Sequence, residues 1–152
     1  MKYLLSGLSL GILAGLGLPS TALAKQPTVN GIGNIQNTKE IRGAGCSLQR
    51  RGNKGYVFWS VLEKSALMNI GGKDRVLKLV SATPSAPRVE KKGSRSTEIY
   101  KSGRMTVRID RVTTRVCRKG DQECEVTGYD GKMTLKIGDR QQTIAVEGDC
   151  GS

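Results

Sequence analysis

The chain contains no histidine. That absence removes Ser-His-Asp and Cys-His nucleophilic sites, and with them every histidine-ligated metal centre. Aromatic side chains are nearly as scarce, with one Phe, one Trp and four Tyr among 152 residues. A core must therefore rest on Val, Ile, Leu and Met with help from crosslinks. Stacking platforms for single-stranded nucleic acid are short of rings, which disfavours a nucleic-acid partner. Acidic charge is thin as well: 13 Asp and Glu face 25 Lys and Arg, a formal net charge of +12. No apolar run reaches the roughly 20 residues that a membrane span requires.

The longest apolar run is residues 4–18, behind a single positive charge at Lys2. Pro19-Ser20-Thr21 then leads to Ala22-Leu23-Ala24, a small-x-small cleavage signal, so residues 1–24 are expected to be a secretory signal peptide cleaved after Ala24, the alternative being an uncleaved anchor. No cysteine follows that site directly, which argues against a lipid anchor. Residues 25–42, KQPTVNGIGNIQNTKEIR, are polar, rich in Gly and Asn, and without a sustained period. They read as a flexible leader holding one short strand at most. Residues 43–152 read as a single β domain with one modest core.

The C-terminal third carries the clearest pattern. Residues 104–152 alternate apolar and polar side chains, contain Asp-Gly and Gly-Asp pairs, and hold three of the four cysteines. This spells an antiparallel meander. A two-residue turn at Asp130-Gly131 pairs Val126 with Leu135, and a turn at Gly138-Asp139 pairs Met133 with Ile144, leaving Val146 on the same apolar side. Upstream the parity breaks: Val107 and Ile109 share one face, Val112 and Val116 the other. A bulge near Asp110-Arg111 is the expected repair. Further strands are expected over residues 44–50, 56–62, 75–81 and 97–101. Residues 63–68 fit one helical turn too short to stand alone, residues 67–70 read as pairing with 75–81 in a hairpin that buries Leu77 and Leu79, and residues 82–96 read as a long surface loop. The sum is an all-β fold, a small antiparallel β-barrel or sandwich of about seven to nine strands.

Four cysteines in a small exported chain point to two disulfides. The expected pairs are Cys117–Cys124, bracketing a short polar loop, and Cys46–Cys150, tying the first strand of the domain to its end. Only Cys117 and Cys124 lie close in sequence, so no metal site is assigned, and no cofactor. Asp110, Glu123, Glu125, Asp130, Asp139, Glu147 and Asp149 offer carboxylates, yet no motif groups them into a catalytic pair. Residues 69–74, NIGGKD, lack phosphate-loop spacing and read as a turn.

What remains is positive charge. Arg88, Lys91, Lys92 and Arg95 in the long loop, then Lys101, Arg104, Arg108, Arg111, Arg115, Arg118 and Lys119, form a nearly unbroken basic tract. Such a surface attracts polyanions, and Arg88, Lys91, Lys92, Arg95, Arg108, Arg111 and Arg115 are the expected anion-binding residues. In residues 56–59, YVFW, one alternating pair belongs to a core, and the other either packs at an edge or offers a platform for a sugar ring. The chain also resembles small exported bacterial proteins of unassigned function in Gly45-Cys46-Ser47-Leu48, in Met68-Asn69-Ile70-Gly71-Gly72-Lys73-Asp74 followed by Leu77-Lys78-Leu79, and in Gly148-Asp149-Cys150-Gly151. That resemblance implies a bacterial envelope setting and no activity. The sequence therefore leads to a non-enzymatic exported protein in the periplasm or outside the cell, whose partner is an anionic polymer, a lipid headgroup or an acidic protein. The alternative is an inhibitor of an exported enzyme, acting through residues 82–96 or 118–123.

Overall fold

The computed structural model describes residues 31–41, 43–61, 64–84, 91–117, 124 and 126–151. The expected signal peptide, Arg88 and the 118–123 loop lie outside these residues.

Nine strands follow one another: β1 (Ile32–Gly33), β2 (Gly45–Arg50), β3 (Tyr56–Val61), β4 (Ser65–Ile70), β5 (Lys73–Thr83), β6 (Arg95–Ser102), β7 (Met105–Arg115), β8 (Val126–Ile137) and β9 (Arg140–Gly151). From β2 to β9 each pairs antiparallel with the next, and β9 returns to β2. The result is a closed eight-stranded up-and-down barrel with β1 added beside β4. Closure leaves the eight strands without a free edge.

Alternation explains the interior. Leu48, Phe58, Met68, Leu77, Tyr100, Val107, Ile109, Met133, Leu135 and Val146 are fully buried and form one cluster. Side chains of this kind contribute about 1.5–3 kcal/mol each when buried. With one Phe and one Tyr at its centre, packed edge to face at 5.2 Å, the core is otherwise aliphatic. Its two ends differ. Tight turns at 51–55, 71–72, 103–104 and 138–139 lie at one end, which the N-terminal segment closes. Ile32, 4% exposed, spans from β4 to the inward-facing Gln142 of β9 and Arg50 of β2, donating to the first and accepting from the second. The connections after β3, β5 and β7 lie at the opposite end.

Several expectations need revision. Residues 31–41, read as leader, are docked: Ile32 and Ile35 are buried, and the Gln36 and Asn37 N–H groups donate to Asp74. Residues 65–70 form β4 with no helical turn among them, and the expected hairpin of 67–70 with the strand after it is present as β4–β5. The loop between β5 and β6 is shorter than 82–96, because β5 runs to Thr83 and β6 starts at Arg95.

The largest change concerns Asp130-Gly131, which is no turn but the middle of β8. Gly131 is needed for a different reason: a Cβ there would collide with the Asp110 carbonyl, and one at Gly148 with the Ser47 carbonyl. Close backbone approach at these glycines lets neighbouring long strands coil into a small barrel. The Gly138-Asp139 turn and the Met133–Ile144 pairing are present as expected.

The parity break in β7 also resolves. Val107, Ile109, Arg111 and Thr113 all face inward, so no bulge sits at Asp110-Arg111; the irregularity comes later, between Thr113 and Arg115. Val112 faces outward. An arginine occupies the inner face where an apolar residue was sought.

Candidate functional site: a polar barrel end and two basic surfaces

Inside the barrel, toward the end with the longer connections, the aliphatic core gives way to a polar cluster. Arg111 of β7 and Glu98 of β6, each 8% exposed, form a hydrogen-bonded ion pair through Nη2 and Oε1. The Tyr100 hydroxyl donates to the other carboxylate oxygen at 2.9 Å. Arg111 Nη1 lies 3.2 Å and 3.3 Å from the sulfurs of Cys46 and Cys150, and its guanidinium carbon stands 4.8 Å from the centre of the Tyr129 ring. Arg111 Nε is buried without a protein acceptor.

Each contact follows from register. Glu98 and Tyr100 share the inward parity of β6, and Gly131 stands opposite Arg111 on β8, leaving space for a long side chain. Burial, first, and then the charge and hydrogen bond of Glu98 hold the Tyr100 phenol far above its ordinary range; Arg111 and the Ser60 hydroxyl offset part of this. A matched, bonded pair of this kind is a structural device as it stands. Its groups are engaged with one another.

Both expected disulfides are present, Cys46–Cys150 and Cys117–Cys124. The first joins directly opposed residues of β2 and β9, the seam that closes the barrel. Two disulfides indicate an oxidising, exported setting. Among the described residues no helix is long and apolar enough to cross a membrane.

The expected anion-binding residues do not form one surface. Lys91 and Lys92, in a turn tied to β7 by Gly93 N–H to Thr113 carbonyl at 2.7 Å, and Arg95, which opens β6, are exposed at the long-connection end. Arg115 is exposed near that end but paired with Asp149 at 2.9 Å. Arg108 faces outward at mid-barrel and chelates Asp110 through two nitrogens. That hydrogen bonding holds the Asp110 carboxyl below the usual carboxylate value, against the opposing effect of burial and with help from Thr97 and Lys132. Arg111, expected on the surface, is the buried partner of Glu98.

A second basic surface was not visible in the sequence. Lys78 of β5 stands opposite Lys101 of β6; Lys101 stands opposite Thr106 of β7, and Thr106 opposite Lys136 of β8. All three lysines are exposed, and the row continues to Gln141 on β9 and Ser65 on β4 without an acidic residue. The valines flanking Lys78 on β5, Val76 and Val80, are 60% and 53% exposed. The lysines lie 23 and 35 positions apart in the chain, so only the pairing register brings them together.

The aromatic stretch is divided by a bulge. Val57 has no partner in the β2–β3 pairing, which places Phe58 inside and swings Tyr56 outward to meet Trp59 edge to face at 5.9 Å. No family model matches this chain, and neither the curated proteins nor the solved structures compared with it include a significant match.

Proposed function

We propose that this is an exported, non-enzymatic binding protein that holds an anionic envelope component on its surface, in the periplasm or outside the cell. The observation supporting this reading is how charge is partitioned. Glu98 is consumed inside the barrel, and Asp74 accepts from backbone N–H groups and Asn69. Asp110, Asp130 and Asp149 are each taken by an arginine, and Glu147 accepts from the Gly52 N–H. The lysines Lys78, Lys91, Lys92, Lys101 and Lys136 are left facing solvent. Among the described residues these lysines carry much of the outward positive charge, because Arg108, Arg111 and Arg115 of the basic tract are each paired with a carboxylate.

Retention of the processed protein on a polyanionic resin, followed along a sodium chloride gradient, tests the reading. Strong retention with elution that shifts steeply with salt is expected, since each neutralised anion releases counter-ions. Passage through the resin at about 0.15 M salt would remove it. A stoichiometric complex with one acidic envelope protein, insensitive to polymer competition, would replace the polymer with a protein partner.

A further inference from the structure

We propose that the outer face of β4 to β8 is a track for a linear acidic polysaccharide, with Lys78, Lys101 and Lys136 pairing its carboxylates. This deepens the anion-binding reading and rests on it. Lys78 and Lys101 are directly opposed across a strand pair, an arrangement that destabilises a sheet when nothing lies between the charges. No acidic residue relieves it within the row from Ser65 to Gln141. The next two outer rows show the contrast: Arg108 is ion-paired with Asp110, which stands directly opposite Lys132. A bound anion would supply for the lysine row what Asp110 supplies there.

Geometry selects the kind of anion. Neighbouring strands lie about 4.8 Å apart, so the lysines are spaced by about 5 and 10 Å along the row. That suits a chain with regularly repeating charge. The row crosses from β5 to β8 around a closed eight-stranded barrel, three of its eight strand-to-strand steps, so Lys78 and Lys136 point more than a quarter turn apart. A flat lipid surface meets only part of such an arc, whereas a flexible polymer follows it. Sugar chemistry fits the remainder. Ser65, Thr106 and Gln141 punctuate the row with neutral hydrogen-bonding groups, and on β5 the exposed Val76 and Val80 on either side of Lys78 offer apolar surface for the faces of sugar rings.

Titration calorimetry with a polyuronate oligosaccharide decides the matter, using the full exported protein. Two variants matched in charge are compared, Lys78→Gln/Lys101→Gln/Lys136→Gln and Lys91→Gln/Lys92→Gln/Arg95→Gln, with circular dichroism melts establishing that both fold. The row variant should lose on the order of tenfold or more in affinity, and its salt slope should fall by about three counter-ions. Its melting temperature should equal or exceed that of the wild type. The rim variant should retain binding within a few-fold. Equal losses in the two variants would overturn the track while leaving a general attraction to anions intact. Anionic vesicles that bind more tightly than the polymer, and lose that binding in the row variant, would overturn it in favour of a lipid surface. Polyphosphate of matched charge binding more tightly than polyuronate would overturn the sugar assignment. Failure of the wild type to bind any polyanion would sink both the track and the parent reading.

Discussion

Arg111 sets the terms at the residue scale. As a charged residue in an alternating strand it belongs, by pattern, on the outside; its inward place depends on Glu98, thirteen positions earlier and one strand over. Breaking a buried pair by removing one partner strands the other charge and costs about 3–5 kcal/mol. Arg111→Met and Glu98→Leu should each destabilise by that order in urea unfolding, and the double variant should recover much of the loss. Additive losses would show that the pair is uncoupled. Tyr100 gives a second test through pH. Its folded pKa is raised above the unfolded value of about 10, so the folded state holds its proton longer. The contribution is fully present below about pH 10 and lost as pH rises beyond it. Stability measured between about pH 8 and 11 should fall more steeply in the wild type than in Tyr100→Phe, and parallel curves would contradict this.

At the scale of elements, what the sequence disclosed was set by how local each signal is. The Gly138-Asp139 turn was legible because the left-handed glycine and the pairing it sets lie within a few residues, with Gly138 at φ 57°. Gly131, in an Asp-Gly pair, carried a comparable turn signal but serves the approach of β7 to β8, a contact between distant segments. Asp-Gly alone does not separate a turn from a coiled strand. The disulfides were legible because cysteine has few alternatives in an exported chain, whereas the lysine row depends on register across four strands. The two bridges should also differ in weight. Cys46–Cys150 closes a loop of 104 residues at the barrel seam, while Cys117–Cys124 spans 7. In the chain-entropy model these correspond to about 4–5 and about 2–3 kcal/mol. Cys46→Ala/Cys150→Ala should therefore lower the melting temperature more than Cys117→Ala/Cys124→Ala. The reverse order would mean that the seam is held by its ladder alone.

For the molecule as a whole, closure and charge act against each other. Closure makes each of the eight barrel strands depend on two neighbours, so loosening any seam exposes backbone along the whole ladder. The surplus of positive charge pushes the same strands apart. Acid should bring this opposition into the open. Burial raises the Asp74 carboxyl, but hydrogen bonds from the Asn37 N–H, the Asn69 amide and the Gln36 N–H outweigh it, and the net shift is downward; Asp110 is also lowered, chiefly by Arg108. Folded values below the unfolded value of about 3.9 mean that these groups stabilise the protein above that pH and cease to do so as pH falls through their folded values. Over the same window the 25 basic residues lose their acidic counterweight. Melting temperature should thus drop sharply between about pH 4 and 2, with residues 31–41 exchanging amide protons first because Asp74 anchors them. Adding sodium chloride at pH 3 should restore part of the loss by screening repulsion between strands, and more of it in the wild type than in Lys78→Gln/Lys101→Gln/Lys136→Gln, where less repulsion remains to be screened. An acid transition that ignores salt would locate the sensitivity in the hydrogen bonds held by Asp74 and Asp110 rather than in repulsion across the charged surface.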